Sequence, residues 1–153
     1  MEVSLATQKQ ELGERGERLV VKECACPRCK RPRTLRQRRA NFKCADIICD
    51  FCGFLGQVKA SRQTGIDSVP AKVLGAAWGP MKERLDAGLY FPLFLVLVPK
   101  EGKGYSIWYL SADLQEPEMF EPRNPLGHGA KRAGWQGFNY NLKGVRERFT
   151  RLV

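Results

Sequence analysis

Asp46-Ile47-Ile48-Cys49-Asp50-Phe51-Cys52-Gly53-Phe54-Leu55-Gly56-Gln57-Val58-Lys59 is the stretch on which the fold of this chain turns. Short apolar runs, Phe42 to Ile48 and Phe54 to Lys59, flank a C-x2-C pair, so the segment reads as a hairpin whose usual turn is replaced by a cysteine knuckle. A second knuckle, Cys26-Pro27-Arg28-Cys29, precedes it with nineteen residues between the two. Knuckles at this spacing turn tightly enough to offer two thiolates each to one tetrahedral ion, so Cys26, Cys29, Cys49 and Cys52 are expected to hold a structural zinc. Cys24 and Cys44 are left over, each either a substitute ligand or a small buried hydrophobe. The N-terminus MEVSLATQKQELGERGERLV lacks an apolar run of signal-peptide length. A reducing cytoplasm is therefore expected, without structural disulfides.

Around this centre the composition is that of a globular protein, 43% hydrophobic and 27% charged over 153 residues. The longest apolar run, Leu89 to Val98, is far too short for a bilayer span and reads as a buried strand. A single domain over residues 1–153 is expected, with the zinc module at about 24–53 inserted near its start. The formal charge is +10; four thiolates and a divalent cation add minus two, leaving about +8. Arg28, Lys30, Arg31, Arg33, Arg36, Arg38, Arg39 and Lys43 all fall in the first knuckle or in the segment joining it to the second. Such clustering predicts an arm that contacts nucleic-acid phosphates. A later loop, Gly127 to Phe138, adds Lys131, Arg132 and Trp135 as further contacts, beside the lone His128.

Residues Ser4 to Val21 predict a helix with Leu5, Leu12, Leu19 and Val20 on one side, weakened by Gly13 and Gly16. A second helix is predicted over Ala71 to Ala87, from Leu74, Trp78, Met81 and Leu85, with a break at Gly79-Pro80. Strands follow at Leu89 to Val98 and Tyr105 to Leu110, and the proline- and glycine-rich stretch from Ser111 to Gly134 predicts mostly irregular chain.

The candidate chemistry is Asp46, ten intervening residues, then Gln57-Val58-Lys59. On a strand, Gln57 and Lys59 share a face while Val58 points to the core, and Asp46 arrives from the paired segment. Phosphodiester hydrolysis needs a hard cation on oxygen ligands, a water activated by it, and a positive group near the developing charge. Asp46 offers a carboxylate, Gln57 an amide oxygen, the Val58 carbonyl a further ligand for magnesium, and Lys59 a group to position or deprotonate water. Glu17, on the preceding helix, is the candidate for completing the acidic site.

The ordered set Cys26-Pro27-Arg28-Cys29, Ala45-Asp46-Ile47-Ile48-Cys49-Asp50-Phe51-Cys52, Gln57-Val58-Lys59, Arg123-Asn124-Pro125-Leu126 and Arg132-Ala133-Gly134-Trp135-Gln136-Gly137-Phe138-Asn139 resembles the catalytic domain of the DpnI, Dam-replacing family of restriction endonucleases. The resemblance covers about Cys26 to Leu142. It implies the α/β class, with a restriction-endonuclease-like mixed sheet flanked by helices and an inserted four-cysteine zinc knuckle module. It further implies structural zinc and cleavage of double-stranded DNA that depends on magnesium or manganese, with Asp46, Gln57 and Lys59 at the active-site positions. Gln57 stands where the family has glutamate, although the Mrr-like branch of the same PD-(D/E)xK superfamily uses Q-x-K. The family's type member also carries a winged-helix domain that reads methylated adenine, and nothing in this chain corresponds to it, so methylation dependence is open. Cutting both strands asks for two active sites or repeated action of one, which leaves a homodimer open.

The leading expectation is thus a metal-dependent endonuclease acting on duplex DNA. A second is a non-catalytic zinc-dependent DNA-binding module in which Gln57 marks a degenerate site. A third, an RNA-binding zinc ribbon, leaves Asp46, Lys59 and the Trp135 loop unexplained.

Overall fold

The computed structural model describes residues 5–38 and 45–153. Its elements are α1 (Leu5–Glu23), β1 (Leu35–Gln37), β2 (Ile47–Cys49), β3 (Leu55–Gln63), β4 (Lys72–Ala77), α2 (Trp78–Asp86), β5 (Leu93–Pro99), β6 (Ser106–Leu110), β7 (Phe120–Pro122), β8 (Gly137–Asn141) and β9 (Thr150–Arg151). They fall into two compact units: the chain up to Ser68 with Phe91–Ser111 and Thr150–Val153, and Val69–Tyr90 with Ala112–Phe149.

The first unit is a six-stranded mixed sheet in the order β1-β2-β3-β5-β6-β9. Only β3 and β5 run parallel, with Gln57 opposite Leu93 and Lys59 opposite Leu95. Parallel neighbours require a long crossover, and residues 64–92 supply it. Strand β5 is Leu-Phe-Leu-Val-Leu-Val-Pro and is buried from Leu93 through Val98, which is what an unbroken apolar run demands of a central strand. Helix α1 packs on β1, β3 and β5. Val20 is wholly buried, with Leu12 and Leu19 against the same core as Leu35, Ile47, Phe54, Phe94, Val96 and Ile107. Gly16 sets the approach of the helix. A Cβ there would stand 2.9 Å from Ala60 Cβ, 3.5 Å from Val58 Cγ1 and 3.7 Å from Val96 Cβ. The expected α/β class, the mixed sheet and the four-cysteine cluster are all present.

The second unit holds an antiparallel sheet in the order β4-β8-β7. Phe120, Phe138 and Tyr140 pack with ring centroids 5.0 to 6.1 Å apart. Gly75 makes room for them, since a Cβ there would lie 2.6 Å from the Phe138 ring. This unit corrects the helix expected from Ala71 to Ala87. Residues Lys72 to Ala77 are strand β4, paired through Val73 with Tyr140 and Leu74 with Asn139, and helix begins only at Trp78. The Gly79-Pro80 pair then falls in the first turn of α2, where proline forfeits no helical hydrogen bond, so it marks a beginning and no break. The later stretch is irregular as expected, apart from short 3-10 turns at Ala112–Leu114 and Pro117–Met119 and strand β7.

Candidate active site and zinc centre

The two knuckles are built alike. The Lys30 N–H donates to the Cys26 carbonyl at 2.9 Å, and the Gly53 N–H to the Cys49 carbonyl at 3.0 Å. Both closing residues have left-handed backbone, with φ of 65° at Lys30 and 79° at Gly53. The turns place Cys26 Sγ 3.6 Å from Cys52 Sγ and Cys29 Sγ 3.8 Å from Cys49 Sγ, and all four sulfurs lie within 4.8 Å of one another. A tetrahedral zinc with bonds of about 2.3 Å separates its sulfurs by about 3.8 Å, so the donor set fits that ion. Burial works against ionisation of Cys49, yet the Thr34 hydroxyl, 3.2 Å from its sulfur, and the backbone N–H groups of Cys52 and Phe51 outweigh it and hold the thiol at about 6. Burial dominates at Cys26 and pushes it up to about 12. Four sulfurs so close do not all ionise unaided, and a divalent cation resolves that conflict by binding them as thiolates. Cys24 is 6% exposed in the apolar core, its thiol pushed up to about 12 by burial and then by Glu23. Among the described residues the cluster consists of the four knuckle cysteines; Cys44 lies outside the described residues.

Strand β2 follows directly on Asp46. Its register pairs Ile47 with Gly56 and Ile48 with Leu55, and the Asp46 N–H donates to the Gly56 carbonyl at 3.0 Å. One step further along that register, Asp46 stands across from Gln57. Its carboxylate is fixed there: Asp46 Oδ2 accepts the Val58 N–H at 2.7 Å. Val58 and Ala60 meet Gly16 of α1, so Gln57 and Lys59 leave β3 on the alternate face. Lys59 is depressed below the usual lysine range by burial first and by Lys9 second, with Asp46 acting against both. Glu17 is pushed up to about 7 by burial, then by the Asp46 carboxylate and by Glu14. Asp46, Glu17 and Lys59 are therefore within electrostatic reach of one another, two acids and one softened base around a single strand pair.

The basic arm is divided in its roles. Arg36 forms an ion pair with Asp50 at 3.0 Å and donates to the carbonyls of Arg33 and Leu35, which ties the loop after the first knuckle to the second. The Arg38 N–H donates to the Asp46 carbonyl at 2.8 Å. Arg31 lies 3.8 Å over the Phe51 ring, and Arg33 is exposed. Arg39 lies outside the described residues. In the second unit, Arg132 stacks 4.7 Å over Trp135 beside exposed Lys131. That loop is closed by backbone bonds from Gly134 to Leu126 and from Leu126 to Trp135.

Sequence reasoning missed Lys9, Glu14, Thr34 and Phe51. Lys9 had a signal, being two helical turns before Glu17 and thus near the same flank of α1. Thr34 had none, because it reaches Cys49 only through the pairing of β1 with β2, which sets Leu35 opposite Cys49.

The family model of the DpnI, Dam-replacing family matches residues 4–150, and the chain belongs to that family. Membership makes it a restriction-endonuclease-like DNA enzyme in kind. No curated protein matches the chain.

Proposed function

We propose that the chain is a divalent-metal-dependent endonuclease hydrolysing phosphodiester bonds of double-stranded DNA, working as one nuclease domain in the cytoplasm. The observation that carries this reading is the Asp46 carboxylate held at 2.7 Å on the Val58 N–H, between a lysine of lowered basicity and a second carboxyl raised to about 7. A carboxyl whose proton affinity is raised by burial and by a neighbouring carboxylate suits a site that takes a cation. Asp46, Gln57 and the Val58 carbonyl would hold magnesium or manganese, which would supply Lewis acidity at the phosphate and activate the attacking water. The protein does the rest. The Val58 N–H fixes one oxygen of Asp46 and with it the orientation of the carboxylate. Lys59, its basicity lowered by burial, can accept a proton from the attacking water or stand as a cation beside the phosphate. Arg31, Arg33, Lys131, Arg132 and Trp135 hold the DNA. Cys26, Cys29, Cys49 and Cys52 would hold a zinc that would fix the turn between β2 and β3, and so the spacing of Asp46 to Gln57.

Plasmid digestion with magnesium or manganese tests this directly, comparing wild type with Asp46→Ala and Lys59→Ala. Nicking and linearisation by wild type, with a loss of at least about 100-fold in either variant, is expected. Equal nicking by all three removes the claim. One residue, Gln57, favours a second reading as a non-catalytic DNA-binding module, since an amide carries no charge for the cation. Calorimetric titration separates the two, because the enzyme binds magnesium or manganese in a manner that Asp46→Ala abolishes.

A further inference from the structure

Phe51 occupies the tip of the second knuckle, between two zinc-site cysteines, and is 59% exposed. Its apolar neighbours in the same module are hidden: Leu35 and Ile47 are wholly buried and Phe54 is 3% exposed. An aromatic ring left in water beside a core that could accept one calls for another use of its face. Arg31 crosses from the first knuckle to lie 3.8 Å from the ring centroid, so the ring and a guanidinium form a stacked pair at the surface.

Backbone geometry adds an independent observation. Among the described residues, Lys30 and Arg33 are the two non-glycine residues with positive φ, at 65° and 60°. Lys30 holds the position that Gly53 holds in the other knuckle, with the same hydrogen bond to the first cysteine of its pair. Glycine adopts this conformation without strain and lysine does not, so the first knuckle carries a charge where conformational ease favours none. Strain of this kind gathers where side chains are used. Asp50, the acid at this tip, is already engaged by Arg36. Lys30, Arg31 and Arg33 are all exposed, and of these Arg31 lies over the Phe51 ring.

We propose that the zinc knuckle tip is a base-stacking site, in which Phe51 backed by Arg31 receives the face of an unpaired DNA base while Lys30 and Arg33 hold the flanking phosphates. This rests on the reading of the chain as a DNA enzyme and deepens it: the substrate is contacted at a point where a base has left the helical stack. An exposed aromatic within an arginine- and lysine-rich surface has the chemistry of such platforms, because every base offers a π face and every nucleotide a phosphate. In strand geometry, the knuckle tip lies roughly 10–15 Å from Asp46, within the span of a few nucleotides.

The test uses zinc-loaded full-length protein without magnesium and a fluorescent duplex that is either fully paired or carries one unpaired adenine, with affinity read by anisotropy. Wild type is expected to bind the bulged duplex more tightly. Phe51→Ala is expected to lose that preference, weakening bulged binding by about 5- to 150-fold, whereas Phe51→Trp retains it. Lys30→Gly is expected to bind both duplexes more weakly, with the slope of log affinity on log salt shallower by about 0.9, while its melting temperature does not fall. One zinc per chain in every variant shows that the module is intact. Phe51→Ala indistinguishable from wild type on both duplexes, or weakened equally on both, overturns the stacking site. Plasmid cleavage that depends on Asp46 alongside either result leaves the nuclease reading standing and the stacking site alone refuted; no binding of either duplex by wild type refutes both.

Discussion

Replacing Gly16 by alanine probes how the active site is assembled. The added methyl would stand 2.9 Å from Ala60 Cβ, whereas carbon atoms rest at about 3.5–4.0 Å. Ala60 Cβ is bonded directly to the backbone of β3 and cannot swing aside, so α1 must retreat by roughly 0.6–1 Å. Overpacking of this size costs about 1–3 kcal/mol, and alanine returns about 1 kcal/mol of helix propensity, leaving a net loss of about 0–2 kcal/mol. Activity is expected to fall further than stability, because the same retreat carries Glu17 away from Asp46 and a shift of about 1 Å in a catalytic group can cost about 100-fold in rate. The companion variant is Gly13→Ala, three residues earlier on the same helix, where an added methyl meets nothing within 4 Å. It gains the propensity and is expected to melt higher, by about 2–4 °C, with activity unchanged. Thermal melts and single-turnover plasmid cleavage of the two variants measure both effects. If Gly16→Ala melts as high as Gly13→Ala and cleaves as fast, contact between α1 and β3 does not set the site, and the reasoning fails.

Other expectations follow from the same geometry. Metal analysis should find about one zinc per chain, and chelation at pH 7 should lower the melting temperature by more than about 10 °C; a zinc-free preparation with unchanged melting would contradict the four-sulfur site. Glu17 is raised from 4.5 to about 7 in the folded protein, so the native state holds the extra proton between those values and stability falls as pH rises through that window. At pH 8 without divalent ions, Glu17→Gln should therefore be more stable than wild type in a denaturant titration, by about 1 kcal/mol once the shift is discounted for a partly exposed site, and the difference should vanish below about pH 4. No change with pH would mean that neither burial nor the Asp46 carboxylate raises Glu17. Ser106 is wholly buried, its hydroxyl donating to the Ile66 carbonyl at 2.5 Å and accepting the Trp108 Nε1–H at 2.9 Å. Ser106→Ala leaves both partners unpaired and should cost about 2–4 kcal/mol in a denaturant titration; a loss under about 0.5 kcal/mol would mean water replaces the hydroxyl.

What could be read along the chain was local. Helix α1 was legible because an apolar stripe needs only its own periodicity. The run from Lys72 to Ala77 was misread for the complementary reason. Leu74 keeps helical spacing with Trp78, Met81 and Leu85, and only the pairing of Val73 with Tyr140 and of Leu74 with Asn139, more than sixty residues away, makes this run strand. Asp46, Gln57 and Lys59 were legible as an ordered set because a knuckle at Cys49 and Cys52 forces the flanking segments back on each other.

The sequence by itself determined the four-cysteine cluster and the strand pair that bears the candidate catalytic groups, since both depend on short spacings that tight turns convert directly into proximity. Only the tertiary structure decided which face of the knuckle lies open, that the Thr34 hydroxyl lies 3.2 Å from the Cys49 sulfur, and that the Asp46 carboxylate lies close enough to Glu17 to help raise Glu17's pKa. Those relations arise where α1 meets β3 across a glycine and where β1 adds itself to β2. Such contacts join segments whose separation along the chain carries no periodic signal, and they are set by packing.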